Sequence, residues 1–203
     1  MFKRKWSWSV LALVAAAAVA TAQTHEQGLH NGGVGDAGGK IGPAVGDAGR
    51  AICFGDGTEL ACPARNNGLP GHGCENSLGR GGALLAARGF AKISEDSVIL
   101  TVDALPRGTT VLYMQGGKSP YMPYVYGDGI MCLGGSVNRL AVKRPSDWSS
   151  TFPERGDPTL SHAGNLPRLG ATVYYQAMYR DEHPFALRDH LNLSNAWSTT
   201  WVP

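Results

Sequence analysis

The chain has 203 residues, of which 43% are hydrophobic and only 17% charged, and it contains 28 Gly, 12 Pro and 4 Cys. This composition is too poor in charge and too rich in large apolar residues for a chain that is disordered throughout, and it lacks the Ala/Glu/Lys/Leu richness of a coiled coil. A formal net charge of +2 gives no basic excess of the kind that marks nucleic-acid-binding proteins. The length is that of a single domain of ordinary size.

Residues 1–22 have the pattern of a secretory signal peptide. Lys3, Arg4 and Lys5 precede an apolar run over 6–20, and small residues at Ala20 and Ala22 favour cleavage before Gln23. The run is about 15 residues, shorter than the ~20 that span a bilayer, which favours a cleaved signal over a membrane anchor. Cleavage leaves 15 basic against 16 acidic residues, a net charge of −1, and thus no electrostatic argument for nucleic acid or anionic membrane. We expect a secreted, extracellular or cell-surface protein.

Residues 23–51 are predicted to be a flexible, Gly-rich linker. Nine of the 22 residues from Gly28 to Gly49 are glycine, and the sequence Val-Gly-Asp-Ala-Gly occurs twice. Such a segment has too little side chain to bury against the entropy lost on ordering. One stretch, 33–38, matches Gly-x-Gly-x-x-Gly, but no hydrophobic strand precedes it and no amphipathic helix follows it. A dinucleotide site is therefore rejected.

Residues 52–203 are predicted to form one antiparallel, all-β domain. Short runs rich in β-branched and aromatic residues are separated by Gly, Pro, Asn and Asp, which is typical of strands and turns. No helix is easily placed after the signal. The architecture we expect is a β-sandwich, or jelly roll, with two sheets packed over a shared core. The runs are 83–93, which mixes small and apolar residues, and 97–105, 109–115, 136–143, 171–180 and 195–202.

The four cysteines are predicted to form two disulfide bonds. They are Cys53, Cys62, Cys74 and Cys132, an even number in a chain that we expect to be exported to an oxidising compartment. A zinc site is disfavoured, because the sequence contains no Cys-x-x-Cys and no paired histidines. Four cysteines allow three connectivities, and the sequence does not choose among them.

Several motifs in one order resemble an uncharacterised secreted β-sandwich module, often found at the C-terminal end of larger exported proteins of environmental bacteria. The resemblance covers essentially all of 52–203 and implies an extracellular β-sandwich, but it supplies no activity or catalytic residues. The matching stretches are CFGDG at 53–57, ACP at 61–63, NNG at 66–68, GHGCENS at 71–77, GGALL at 81–85, GDGIMCLGGS at 127–136, YYQ at 174–176, YRD at 179–181 and NLSN at 192–195.

The chain departs from this family at two positions. Ala64 stands where the family carries another cysteine, and a further cysteine is missing near Ala186. The resemblance therefore implies that these two absent cysteines are partners of each other and that the four present ones pair among themselves. The pairing we favour is Cys53–Cys62, across the turn at 55–57, together with Cys74–Cys132.

The densest group of acids and potential ligands lies at 181–190. It could hold a metal or supply an acid–base pair, but it has no recurrent ligand spacing, and a polar loop in which Asp181 caps a turn is favoured. Its members are Asp181, Glu182, His183, Asp189 and His190. Gly-x-Ser-x-Gly is absent, which disfavours a hydrolase of that type.

Two Gly-Asp-Gly sequences, centred on Asp56 and Asp128, could bind calcium. Calcium takes 6–8 oxygen ligands, whereas each sequence supplies one carboxylate, so a tight turn is the favoured interpretation. We therefore predict no catalytic residue, no metal ligand and no cofactor.

Four aromatic residues fall in or beside Pro-containing loops: Tyr121, Tyr124, Tyr126 and Trp148. Loop aromatics can stack on sugar rings or anchor a protein partner, or they can cover the core. Trp197 and Trp201, by contrast, are expected in the core.

Three functions follow from these patterns. The first is an exported, non-catalytic β-sandwich module with an interaction role, whose partner is an extracellular polysaccharide or a surface protein. The second is a carbohydrate-binding module that uses the loop aromatics. The third and weakest is a secreted hydrolase.

Overall fold

The computed structural model describes residues 47–119, 122–182 and 190–203. The signal peptide, most of the Gly-rich linker, Tyr121, His183 and Asp189 lie outside the described residues. In the described part, ten strands are joined by turns, with one 3₁₀ turn at Ile93–Glu95 and one short helix, α1, at Leu160–Ala163. The strands are β1 Arg50–Ile52, β2 Leu84–Arg88, β3 Ile99–Asp103, β4 Val111–Lys118, β5 Tyr124–Tyr126, β6 Gly129–Met131, β7 Gly134–Lys143, β8 Ser150–Phe152, β9 Thr172–Arg180 and β10 Leu191–Thr200.

The strands form two packed antiparallel sheets and a separate hairpin. The large sheet has the order β1-β10-β9-β4-β7, the small sheet has the order β2-β3-β8, and β5 pairs with β6. Every pairing between named strands is antiparallel. The predicted fold class, an antiparallel β-sandwich with disulfides, is confirmed.

The main core lies between the two sheets and follows the period-2 alternation of their strands. In β3, Leu100 and Val102 are buried while the residues beside them are less so. In β9, alternate residues from Val173 to Tyr179 face the same core. Trp201, just after β10, is buried in this core and donates its indole N–H to the Tyr175 hydroxyl at 2.9 Å, as expected for a core tryptophan.

The sequence located the long strands and missed the short ones. The six predicted runs contain or overlap β2, β3, β4, β7, β9 and β10. Four strands of only three residues, β1, β5, β6 and β8, lack enough residues to show a pattern. The four-residue helix α1 was also not expected.

The predicted start of the domain, at residue 52, is too late. β1 begins at Arg50 and pairs with the middle of β10, so that Arg50 lies opposite Ser198. Ala48 is buried, and its carbonyl accepts hydrogen bonds from the Trp197 indole at 2.7 Å and from the Thr199 hydroxyl at 2.8 Å. Residues 47–51 therefore belong to the sandwich and not to the linker. β10 supplies the hydrogen-bond and strand-pairing partners that hold this Gly- and Ala-containing segment in place.

The two predicted disulfides are present, but the favoured pairing was wrong. Cys53 is bonded to Cys132, and Cys62 to Cys74, with no free cysteine. All four cysteines are buried in a second apolar cluster with Ile130. The turn at 55–57 does not return the chain to Cys53, because Gly55 pairs with His72 and Gly68 and so directs Cys62 towards Cys74.

A bulge in β10 ties the two sheets together through buried amides. The register between β9 and β10 shifts between Leu193 and Ala196. At this shift the Asn195 side chain accepts the backbone N–H of Leu85 in β2 at 2.7 Å and donates to the same residue's carbonyl at 3.0 Å. Asn195 is fully buried, so these bonds satisfy backbone groups that no strand neighbour reaches.

Among the described residues, no helix is long and apolar enough to cross a lipid bilayer.

Candidate functional site

The hairpin β5–β6 presents an exposed strand on a buried base. All three residues of β5 are exposed: Tyr124 is 51% accessible, Val125 41% and Tyr126 41%. Alternation along a strand puts the two tyrosines on one face and Val125 on the other, so both faces of β5 meet solvent. In β6, by contrast, Ile130 and Met131 are buried.

Several bonds fix β6 in place and thereby fix the position of β5. The Gln176 amide of β9 donates to the Ile130 carbonyl at 2.8 Å and accepts the Cys132 backbone N–H at 2.9 Å. Directly after β6, Cys132 forms its disulfide bond with Cys53. At the hairpin turn, the Asp128 backbone N–H donates to the Leu191 carbonyl at 2.8 Å. The hairpin is therefore a rigid support for the exposed tyrosines.

The outer face of the large sheet carries a row of apolar residues in register across four strands. Val142 of β7 lies opposite Leu112 of β4, Leu112 opposite Met178 of β9, and Met178 opposite Leu193 of β10. Leu193 is fully buried in a cluster that includes Met131 of the hairpin, whereas Val142 is 62% exposed. The hairpin thus covers one end of this row and leaves the other end open.

Trp148 belongs to a separate site, in which its neighbours are arginines. The guanidinium carbon of Arg107 lies 4.0 Å from the ring centroid, and that of Arg80 lies 5.0 Å from it. Both distances are within the range of cation–π contacts. Trp148 is half-buried, while both arginines are exposed. Trp148 is therefore not an open platform for a sugar ring, because its ring is already in contact with guanidinium groups.

Beside Trp148 is a cleft of about 420 Å³. The cleft combines two arginines and one glutamate with hydroxyl-bearing residues and the edge of the tryptophan. Its walls are formed by Ser77, Leu78, Pro106, Arg107, Gly108, Thr109, Thr110, Trp148, Arg180 and Glu182. Tyr124 and Tyr126 do not line it, so the structure does not unite the predicted aromatic residues in one site.

Three chain segments meet at the cleft and are held by hydrogen bonds. The Trp148 carbonyl accepts the Leu105 backbone N–H at 2.9 Å, which joins the tryptophan loop to the segment after β3. The Arg180 backbone N–H donates to the Thr110 carbonyl at 3.1 Å. The buried carboxylate of Asp181 accepts the Ser77 backbone N–H at 2.8 Å. The walls of the cleft are thus fixed at backbone level.

The predicted polar group at 181–190 is described only in part, because His183 and Asp189 lie outside the described residues. Asp181 is fully buried and binds the Ser77 backbone, which gives it a structural role. Glu182 and His190 are exposed, and Glu182 lines the cleft. Over the described ranges, no group of three or more His, Cys, Asp or Glu residues is placed to hold a metal ion.

The two Gly-Asp-Gly sequences act as turns. The Asp56 carboxylate accepts the Thr58 backbone N–H at 3.0 Å and the Gly71 backbone N–H at 2.9 Å. Burial raises the pKa of Asp56, but these hydrogen bonds and that of the Thr58 hydroxyl outweigh it, so the pKa lies below its usual value. Asp128 is fully buried at the hairpin turn, where its backbone binds Leu191.

Sequence reasoning missed the arginines that accompany Trp148. Arg80, Arg107 and Arg180 lie in three separate segments, each next to a turn or a strand end, and no spacing connects them. Comparison with protein-family models, with curated proteins and with solved structures gives no match.

Proposed function

We propose that the protein is an exported, non-catalytic β-sandwich module that binds a partner outside the cell through the hairpin β5–β6. The observation that carries this proposal is the exposure of all three residues of β5 on a hairpin whose second strand is buried. The N-terminal signal pattern and the two disulfides support an extracellular location. The resemblance to a secreted bacterial module is part of the same proposal.

An exposed apolar edge strand is unusual in a protein that stays monomeric and unbound. Natural sheets protect such edges with charges, prolines or covering segments, because an open edge invites pairing with other chains. In the described part of the chain, β5 pairs only with β6, and although Pro123 precedes it and it has only three residues, Tyr-Val-Tyr carries no charge. Aromatic residues are also enriched where proteins bind partners. These features favour a contact surface over a purely structural hairpin.

The second candidate is a carbohydrate-binding module, favoured by the spacing of the two tyrosines. Tyr124 and Tyr126 project from the same face of β5 and are separated by about 6.6 Å along the strand. Two exposed rings in line can stack on neighbouring sugars of a polysaccharide. In this version of the proposal Trp148 takes no part.

A binding assay with a matched control tests the hairpin. The mature protein is incubated with cell envelopes and with insoluble polysaccharides, and the bound fraction is compared for wild type, the Tyr124→Ser/Tyr126→Ser variant and Phe90→Ser. Phe90 is a suitable control because it is 68% exposed and lies outside the hairpin. We expect the double variant alone to lose binding. Equal binding by all three proteins would refute the role of the hairpin.

A second measurement addresses the non-catalytic assignment. The purified protein is screened with generic ester and glycoside substrates, and we expect no turnover above background. Turnover that disappears in His183→Ala would overturn the assignment in favour of a hydrolase.

The N-terminus of protein recovered from the medium is expected to be Gln23, and recovery of uncleaved Met1 protein in membranes would contradict secretion.

A further inference from the structure

The cleft beside Trp148 concentrates positive charge that has no ion-pair partner in the described chain. Three arginines, Arg80, Arg107 and Arg180, border the tryptophan or the cleft. The ion pairs within the described ranges all belong to Lys92 or Lys143. None of the three guanidinium groups is therefore neutralised by a carboxylate of those ranges.

Contact with Trp148 leaves N–H donors of Arg107 available. A guanidinium group carries five N–H donors, and contact with one aromatic ring cannot engage all five of them. With the Arg107 guanidinium carbon 4.0 Å from the ring centroid, the aromatic ring restricts where the side chain can go. Less conformational entropy is then lost when the donors bind a ligand.

The size and the other groups of the cleft fit a polar ligand of sugar type. About 420 Å³ lies within the range of sites for small ligands. Ser77 and Thr110 add hydroxyl groups to the walls, whereas the Thr109 hydroxyl donates to the Arg180 carbonyl and is already engaged. Two carboxylates lie near these arginines. Glu182 is exposed and lines the cleft, whereas Asp181 is buried, does not line the cleft and accepts the Ser77 backbone N–H.

We propose that this cleft is a second binding site, independent of the hairpin, and that it binds the carboxylate groups of an acidic polysaccharide built from uronic acids. A carboxylate presents two coplanar oxygens that match the fork of an arginine in a bidentate pair. A polysaccharide is the carrier because the sequence predicts export, and because the net charge of −1 after signal removal gives no general attraction for nucleic acid. Arg107 and Arg180 hold the carboxylates, and Trp148 positions Arg107.

The test compares two forms of one polymer. Binding of the full mature protein to polygalacturonate and to its fully methyl-esterified form is measured by affinity gel electrophoresis and calorimetry. Esterification removes the negative charge and keeps the sugar backbone. We expect retardation by polygalacturonate that weakens with salt, and none by the ester. Loss of one charge-assisted pair in Arg107→Gln or Arg180→Gln is expected to weaken binding by about tenfold or more.

Two controls separate this proposal from simpler explanations and from the hairpin site. Arg139→Gln removes an exposed arginine on β7, which does not line the cleft, and is expected to bind as wild type does. Equal loss in Arg139→Gln would show non-specific charge attraction and overturn the proposal, as would equal binding of both polymer forms or binding of neither. Loss in Tyr124→Ser/Tyr126→Ser but not in the cleft variants would assign the polymer to the hairpin and also overturn it. Loss in the cleft variants, with binding retained in Tyr124→Ser/Tyr126→Ser, would support the cleft even if the hairpin fails its own binding assay.

Discussion

Removing the two disulfides separately is expected to destabilise the protein by different amounts. Cys53–Cys132 joins residues 79 apart in the chain, and Cys62–Cys74 joins residues 12 apart. In the chain-entropy model the longer loop restricts the unfolded chain more, which gives about 4.5 kcal/mol for the first bond and about 2.8 kcal/mol for the second. The difference, about 1.7 kcal/mol, is more reliable than either value, since both pairs are buried and both variants gain two serines.

The measurement is urea unfolding of Cys53→Ser/Cys132→Ser and Cys62→Ser/Cys74→Ser, monitored by far-UV circular dichroism. Each curve is fitted with its own dependence of the free energy of unfolding on urea concentration. Thiol titration of the same proteins checks the pairing. Each of these variants keeps one intact disulfide and should show no free thiol, whereas the mixed variant Cys53→Ser/Cys62→Ser should show two. Greater destabilisation on loss of the shorter loop would refute the entropic reasoning. Free thiols in the first two variants and none in the mixed one would refute the pairing itself.

Three further substitutions test the packing and the charges. Gly73→Ala would place a Cβ against the backbone carbonyl oxygen of Leu193 in β10 and should cost about 3 kcal/mol in chemical unfolding. Gly117→Ala, with open space around it, should be nearly neutral, and similar effects of the two substitutions would contradict the close approach. Asn195→Ala leaves a buried N–H and a buried carbonyl of β2 unpaired and should cost about 2–4 kcal/mol, and a loss below 1 kcal/mol would show that water replaces the amide. A hydrogen bond from Lys143 lowers the pKa of Asp157, so the stability that this carboxylate provides is present above its unfolded pKa and is lost as the pH falls through its folded pKa. The melting temperature of Asp157→Asn should therefore decrease less than that of wild type between pH 7 and about pH 3. Equal decreases in the two proteins would contradict a role of Asp157 in the pH dependence of stability.

The sequence was most informative where a strand is long and buried on one face. In β9, the β-branched and aromatic residues over 171–180 predicted the strand, and the structure buries alternate residues from Val173 to Tyr179. β5 and β6 could not be recognised in the same way, because three residues contain too few alternations and Gly129 and Gly127 resemble ordinary turn residues. Their pairing depends on support from Gln176, a residue that lies about 45 positions away along the chain.

The candidate sites were only partly accessible from the sequence. Tyr124 and Tyr126 could be named because aromatic residues beside Pro and Gly stand out. That they are exposed depends on the burial of β6, and their separation from Trp148 depends on the path of the chain through both sheets. Arg107 carried no signal, because a single arginine after a proline is ordinary until the fold places an indole ring next to it.

The pairing of β1 with β10 determines how this domain can be attached to something else. Asp47 and Val202 both lie at the same end of β10, beside Thr200, and each makes a bridge to the segment around Phe90–Lys92. The hairpin turn and the cleft lie at the other end, beside Leu191 and Arg180, about 30 Å away along the strand. A sensor chip, a fusion partner or a surface anchor joined directly before Asp47 or after Val202 would therefore be attached at the end of the sandwich opposite the two proposed contact regions.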